Sequence, residues 1–108
     1  MNDQQMVLDA IDRFLDKDVR PVAKALEQAD EYPHDIVSKM RDLGLFGATI
    51  GEQYGGLGLS ATVYAKIVER VSSVWMSVSG IFNSHLIMCA AIERFASESM
   101  KEHYLPRM

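Results

Sequence analysis

The residues of this chain that could carry chemistry are a short glycine motif, three histidines and one cysteine. Gly56-Leu57-Gly58-Leu59-Ser60-Ala61 has the G-x-G-x-x-A spacing of a turn that binds the pyrophosphate of a dinucleotide. Such a turn follows a buried strand, and a second strand follows its helix. Because the sequence on both sides predicts helices, we interpret the motif as a glycine-rich reversal between two helices.

The histidines and the cysteine lack the neighbours that reactive groups need. His34, His85 and His103 lie far apart, without carboxylates or thiolates at zinc-ligand spacing, so no metal site is predicted. His85 is interpreted as a hydrogen-bonded core histidine. Cys89 lies in an apolar run with no nearby base to activate it, and no serine has a nucleophile-elbow context. The chain is therefore predicted to contain no catalytic residue of its own.

Composition predicts one water-soluble domain. The 108 residues are 48% hydrophobic and 24% charged, which is enough for a single packed core. The net charge of −4 argues against a nucleic-acid partner. The first residues do not resemble a secretory signal, and the longest apolar run, seven residues, is too short to span a membrane. A single cysteine fits a reducing compartment, so we expect a cytoplasmic location.

The elements that must position these residues are helices. Apolar residues recur at helical spacing from Val7 to Leu26, with a kink or break expected near Val19-Arg20 because Pro21 lacks a backbone donor. A second, short helix follows Pro33, and Gly44 is expected to end it in the left-handed conformation. No segment alternates apolar and polar residues in the way that a β-strand does.

Three further helices are predicted in the second half of the chain. Ser60 should cap a helix that ends near Ser72-Ser73, and Ser97 should cap the last one. The helix between them, from Ser77 to about Phe95, has apolar residues on every side and is expected to be central. The fold class is therefore all-α, a compact bundle of about five helices.

Several segments share their order and separation with one known family. They are Phe14-Leu15 with Val19-Arg20-Pro21-Val22-Ala23, Leu43-Gly44-Leu45-Phe46-Gly47, Tyr54-Gly55-Gly56-Leu57-Gly58-Leu59-Ser60, Ile92-Glu93-Arg94-Phe95-Ala96-Ser97-Glu98, and Lys101-Glu102-His103-Tyr104-Leu105-Pro106-Arg107-Met108. Together they resemble the amino-terminal helical domain of acyl-CoA dehydrogenases over nearly the whole chain, residues 1–108. Two departures, Gly51 where the family commonly has proline and Gln53 in place of an acid, are expected to make the loop freer.

The resemblance implies a flavin enzyme that desaturates an acyl-CoA thioester. In that family a carboxylate removes the α-proton while the β-hydrogen passes as a hydride to FAD. The flavin lies mainly against a middle β-domain, and the base comes from a carboxy-terminal helical domain; both are absent from this chain. We therefore expect the chain alone to be inactive and to hold no FAD. The full-length relatives are commonly tetramers that pass electrons to an electron-transfer flavoprotein.

The share of function that the resemblance assigns to this domain is one wall of the acyl-chain pocket. Carried over by position, that wall maps to Ser79, Gly80, Asn83 and Ile87, whose spacing places them along one helical face. Gly80 would leave room for substrate. Asn83 is less expected, because an amide facing an aliphatic chain is unfavourable unless it is hydrogen-bonded. A contact between domains is an equal alternative for each residue.

Two other hypotheses remain open at this point. The chain could be a stand-alone helical module whose apolar central helix docks a protein or lipid, or the same domain in a related flavin oxidase or monooxygenase. Met1 looks like a natural start, whereas Met108 follows Leu105-Pro106-Arg107 without a tail. We expect such an end when a longer protein is divided at a domain boundary.

Overall fold

The computed structural model describes residues 3–108 and consists of α-helices joined by short turns. The five helices are α1 (Asp3–Phe14), α2 (Ala23–Gln28), α3 (His34–Asp42), α4 (Ala61–Phe95) and α5 (Glu98–Tyr104). A π-helical turn spans Leu15–Val19, and 3-10 turns span Leu45–Gly47, Glu52–Tyr54 and Leu105–Arg107. No strand occurs in residues 3–108, and the all-α class is confirmed. The expected start of the protein at Met1 lies outside the described residues.

The first predicted helix is divided at the expected place. α1 continues into the π-helical turn, which closes with the Arg20 N–H donating to the carbonyl of Leu15 at 2.8 Å. Pro21 cannot continue the ladder of backbone hydrogen bonds, and α2 begins at Ala23. The break near Val19-Arg20 is thus confirmed, whereas the widened turn before it was not predicted. This turn buries both Leu15 and Val19 in the core.

α4 reverses direction at Trp75, whose backbone angles of φ −158° and ψ 101° are extended. The Tyr64 hydroxyl lies 2.5 Å from Oδ1 of Asn83, 19 positions later. An unbroken helix would separate these residues by roughly 28 Å. Residues 61–74 and 76–95, the first and second halves of α4, therefore fold back on each other. The predicted helix end at Ser72-Ser73 was placed slightly too early.

Only one face of the second half of α4 is buried in the core. The helix was expected to be central, and within residues 3–108 this holds for one side only, because the neighbouring elements cover that side. The buried side consists of Val78, Ser79, Phe82, Leu86 and Cys89. The large apolar side chains on the exposed side are Met76, Ile87, Met88 and Phe95.

By length and mean hydropathy, α4 would pass as a membrane-crossing helix. Two features identify it instead as part of a protein core. The reversal at Trp75 divides it into two shorter segments, and both segments bury one face against protein. A single apolar helix of this kind is common in the cores of proteins that do not cross membranes.

Replacing Ser60 by alanine is expected to lower the free energy of unfolding by about 1 kcal/mol. The Ser60 hydroxyl oxygen accepts a hydrogen bond from the Val63 N–H at 3.3 Å, which satisfies one free donor at the start of α4. Urea denaturation followed by circular dichroism measures the change. Ser38→Ala, at an exposed position inside α3, is the matched control and should lose no stability. Equal stability of the two variants would show that the cap contributes nothing.

Candidate functional site

The loop between α3 and α4 has a fixed structure of its own. Gly44 ends α3 at φ 83°, as predicted. The backbone N–H groups of Leu57 and Leu59 donate to the carbonyls of Gly47 and Ala48, each at 2.9 Å. These bonds join the two ends of the loop, so the glycine-rich segment is packed against the chain itself rather than left open for a ligand.

The glycine motif does not fit a dinucleotide. A Cβ built on Gly56 would lie 2.2 Å from the Ile50 carbonyl oxygen, so the space that glycine opens here is filled by protein backbone. At the start of α4 the Ser60 hydroxyl already accepts from Val63 N–H, one of the donors that a phosphate would use. The interpretation of the motif as a reversal between helices agrees with both contacts.

The loop is tied to the second half of α4 by one hydrogen bond between distant residues. The Gly51 N–H donates to Oε1 of Glu93 at 3.1 Å. Gly51 has φ −59°, which proline also adopts, but proline lacks the N–H that makes this bond. The expectation that Gly51 would make the loop freer is therefore wrong, since the departure from proline supplies an attachment to α4.

A groove of about 530 Å³, here called the α4 groove, runs between this loop and the two halves of α4. Most of its lining is apolar, with an amide and a phenol on one side and two charged groups from the last turns of α4. The lining residues are Thr49, Ile50, Leu59, Ala61, Tyr64, Asn83, Leu86, Ile87, Ala90, Glu93 and Arg94. The structure thus brings two of the four predicted wall residues, Asn83 and Ile87, into one groove.

The other two predicted residues lie outside the lining of the α4 groove. Ser79 is 5% exposed; its hydroxyl donates to the Met76 carbonyl at 2.7 Å and accepts from the Ser72 hydroxyl at 2.8 Å. The bond from Ser72 connects the two halves of α4 beside the reversal, and the bond to Met76 lies within the second half. Gly80 is exposed, and apart from the adjoining backbone of its own helix no described atom lies within 4 Å of the position that a Cβ would occupy. Their contact with an acyl chain stays a prediction.

Asn83 has a partner that the sequence did not reveal. The Tyr64 hydroxyl donates to Oδ1 of Asn83 at 2.5 Å, and the Tyr64 ring packs edge-on against Phe82 with centroids 6.2 Å apart. Burial raises the pKa of the Tyr64 phenol, so this hydroxyl keeps its proton at neutral pH and remains a donor. This hydrogen bond offsets part of the free-energy cost of burying the Asn83 amide in an apolar groove. Sequence reasoning missed it because it depends on the reversal at Trp75.

His85 and Cys89 take no part in the α4 groove. The His85 ring packs edge-on against Phe46 with centroids 5.3 Å apart, but its buried Nε2 has no hydrogen-bond partner among residues 3–108. The predicted hydrogen bond of this histidine is therefore not formed at Nε2. Burial raises the pKa of the Cys89 thiol, and the charge of Glu93 raises it further, so the thiol is protonated and poorly nucleophilic.

Comparison with known proteins connects this fold to one family. The family described as acyl-CoA dehydrogenase, N-terminal domain, matches residues 1–108. The short-chain specific acyl-CoA dehydrogenase of Clostridium acetobutylicum is 29% identical over 95% of this chain and 27% of its own length. An acyl-CoA dehydrogenase of Bacillus subtilis is 30% identical over 98% of this chain and 28% of its own length.

A solved structure gives the same result at the level of the fold. A chain in a structure described as the electron transferring flavoprotein of Acidaminococcus fermentans superimposes with a TM-score of 0.88 at 28% identity. The match covers 98% of this chain and 28% of that chain, so the present chain spans little more than a quarter of the proteins that it resembles. With the family match over residues 1–108, this chain belongs to the acyl-CoA dehydrogenase family as its amino-terminal domain.

Proposed function

We propose that this chain is part of an FAD-dependent acyl-CoA dehydrogenase and forms one wall of its acyl-chain pocket. The observation that carries the proposal is the α4 groove, which contains Asn83 and Ile87 together with the apolar side chains of Ile50, Leu59 and Leu86. A concave, mostly apolar surface with a few placed polar groups suits a flexible aliphatic ligand. Residues 3–108 contribute binding and exclusion of water, not a reacting group.

The chemistry of such an enzyme has to come from outside this chain. Gly56 packs against Ile50, and the Ser60 hydroxyl already accepts from the Val63 N–H at the start of α4, so the G-x-G-x-x-A segment is not arranged to hold a pyrophosphate. Bound FAD supplies the oxidising chemistry in this family, and a carboxylate base from another domain completes the reaction. We include in the proposal an acyl-CoA substrate, the remaining domains of the same protein, a homo-oligomer, an electron-transfer flavoprotein partner and a cytoplasmic location.

The exposed face of α4 supports a place inside a larger protein. Met76 is 73% exposed and Phe95 is 81% exposed, although both are large and apolar. Side chains of this kind grouped on one helix usually mark a contact surface. In the proposed enzyme they pack against the domains that hold FAD and the base. A stand-alone module with the same surface would use it to dock another molecule, and the flavin content of the protein separates the two.

Anaerobic mixing of the full-length protein with acyl-CoA thioesters tests the proposed activity. We expect the purified protein to contain FAD and the oxidised-flavin absorbance to disappear as the acyl-CoA is desaturated. The 108-residue chain alone should retain no flavin. A full-length protein without flavin would favour the docking module. A flavin that no acyl-CoA reduces would favour a related oxidase or monooxygenase with another substrate.

Ile87→Trp is expected to raise KM for long acyl chains by roughly tenfold or more, because the indole would fill part of the α4 groove. Ile87 is 62% exposed in this domain, so the larger side chain should not disturb the fold. KM and kcat are compared for short and long acyl-CoA thioesters, and the long ones should lose more. Val22→Trp, on the exposed turn before α2, is the control. An equal effect of Ile87→Trp on all chain lengths would place Ile87 outside the pocket.

A further inference from the structure

The amide of Asn83 is held on one side only. Its Oδ1 accepts the Tyr64 hydroxyl, while its Nδ2 group has no partner within residues 3–108. The Tyr64 bond occupies Oδ1 and restrains the rotation of the amide, which leaves the two Nδ2 donors available to a ligand. Asn83 is half-buried and lines the α4 groove. A ligand in that groove therefore meets two unused hydrogen-bond donors.

A purely hydrocarbon chain is a poor match for this part of the groove. Covering the two Nδ2 donors with methylene groups would remove them from water without replacing their hydrogen bonds. Mutational measurements on such unsatisfied groups correspond to a loss of roughly 5- to 100-fold in affinity. A chain with an oxygen acceptor at this point would avoid the loss. The rest of the groove, with Ile50, Leu59 and Ile87, still favours methylene groups.

The acceptor that fits is uncharged. Arg94 is the cation in the lining, and it follows Asn83 by roughly 16 Å along the helix axis. It therefore cannot pair with an oxygen that contacts Asn83. A carboxylate held by one amide alone would lose far more hydration than the amide replaces. An ether, keto or hydroxyl oxygen keeps most of its hydrogen bonding with the Asn83 donors.

We propose that the acyl chain accepted by the α4 groove carries a neutral oxygen acceptor beyond its β-carbon, bound by the Nδ2 donors of Asn83. This inference rests on the proposed function and makes its substrate class specific. Asn83 acts as a specificity-determining residue, and Tyr64 is a positioning residue that orients the amide. The reaction at the α- and β-carbons stays the same, since the oxygen lies further along the chain.

The test compares two matched thioesters in the full-length flavoprotein. One is a saturated acyl-CoA, and the other has a single methylene beyond the β-carbon replaced by an ether oxygen. Dissociation constants from calorimetry and kcat/KM from flavin reduction are measured for each. The wild type should favour an oxygen analogue by roughly 5- to 100-fold. Analogues with the oxygen at successive positions locate the one that meets Asn83.

Variants of the two residues give the decisive comparison. Asn83→Leu keeps the volume and removes the donors, so the ratio of the two kcat/KM values should fall to one or reverse. Tyr64→Phe should lower the ratio less, because the amide remains but is no longer oriented. Gln28→Leu exchanges an exposed amide at the end of α2 and should leave the ratio unchanged.

The outcomes separate this inference from the function on which it rests. If both thioesters are oxidised, the hydrocarbon is preferred and Asn83→Leu leaves the ratio unchanged, the neutral-oxygen specificity is wrong and the dehydrogenase stands. The same conclusion follows if Asn83→Leu lowers the stability of the protein and leaves the ratio unchanged, because the amide then acts through its bond to Tyr64 and not on the ligand. If neither thioester binds, the proposed function fails together with the inference.

Discussion

Replacing Gly56 by alanine is expected to lower the free energy of unfolding by about 2 to 3 kcal/mol. The added methyl carbon would lie 2.2 Å from the Ile50 carbonyl oxygen and 2.6 Å from the Ile50 Cβ. Ile50 is buried in the core, so it cannot move aside without disturbing its neighbours. The loop itself would have to shift. Urea denaturation of the chain measures the loss.

The matched control is the same substitution at Gly80. Gly80 is inside the second half of α4, and apart from the adjoining helix backbone no described atom lies within 4 Å of its Cβ position. Gly80→Ala should therefore stabilise the domain by about 1 kcal/mol, because alanine is the better helix former. Opposite signs for the two variants would confirm that Gly56 is required for close packing. A loss of equal size in both would contradict this explanation.

Gly80→Ala also tests the proposed acyl-chain wall. If the missing side chain leaves room for substrate, the more stable variant should bind long acyl chains less tightly in the full-length protein. A gain in stability with unchanged binding would place Gly80 outside the pocket. The two measurements are independent, because one is the free energy of unfolding of the chain and the other is the affinity of the full-length protein for the acyl chain.

Local signals in the sequence predicted the helices and their ends. Ser60, Ser97 and Gly44 act through neighbours within a few residues, and the structure contains all three caps. Pro21 likewise interrupts the first helix by removing its own backbone donor. These effects need no knowledge of the rest of the fold, which is why sequence reasoning found them.

The α4 groove could be predicted only in part. The spacing of Asn83 and Ile87 placed them on one helical face, but the opposite wall comes from the loop and from the first half of α4. Tyr64 reaches Asn83 because the chain reverses at Trp75, and no proline or glycine marks that reversal. The Gly51 bond to Glu93 likewise depends on tertiary structure. Side-chain type and spacing contain too little information about such distant pairs.

The burial of the second half of α4 shows a related limit. The helix was expected to be central because apolar residues occur on every side of it, and within residues 3–108 one of its faces is exposed. Hydrophobicity predicts that a helix face is covered by other apolar groups. It does not predict whether those groups belong to the same domain. Because relatives are more than three times as long as this chain, further domains are available to cover that face.

Phe82→Ala is expected to have the largest effect on stability, a loss of about 3 to 5 kcal/mol. Phe82, in the second half of α4, is 0% exposed and packs against the Tyr64 ring, with the two ring centroids 6.2 Å apart. Removing the ring leaves a cavity in the core and ends the edge-to-face contact. Urea denaturation at several temperatures measures the loss. Phe82→Leu retains most of the side-chain volume and should lose less stability. It provides a measurable variant if Phe82→Ala does not fold.

Phe95→Ala is the control for Phe82→Ala and a probe of the larger protein. Phe95 is 81% exposed, so in the 108-residue chain its removal should change the free energy of unfolding by less than about 0.5 kcal/mol. In the full-length protein the same substitution should be destabilising by about 3 kcal/mol or more if another domain buries the ring. A difference between the two chains would therefore measure the domain contact directly. An equally small effect in both would mean that the exposed face of α4 stays uncovered, and the proposed position of this domain against the flavin-binding part would have to be abandoned.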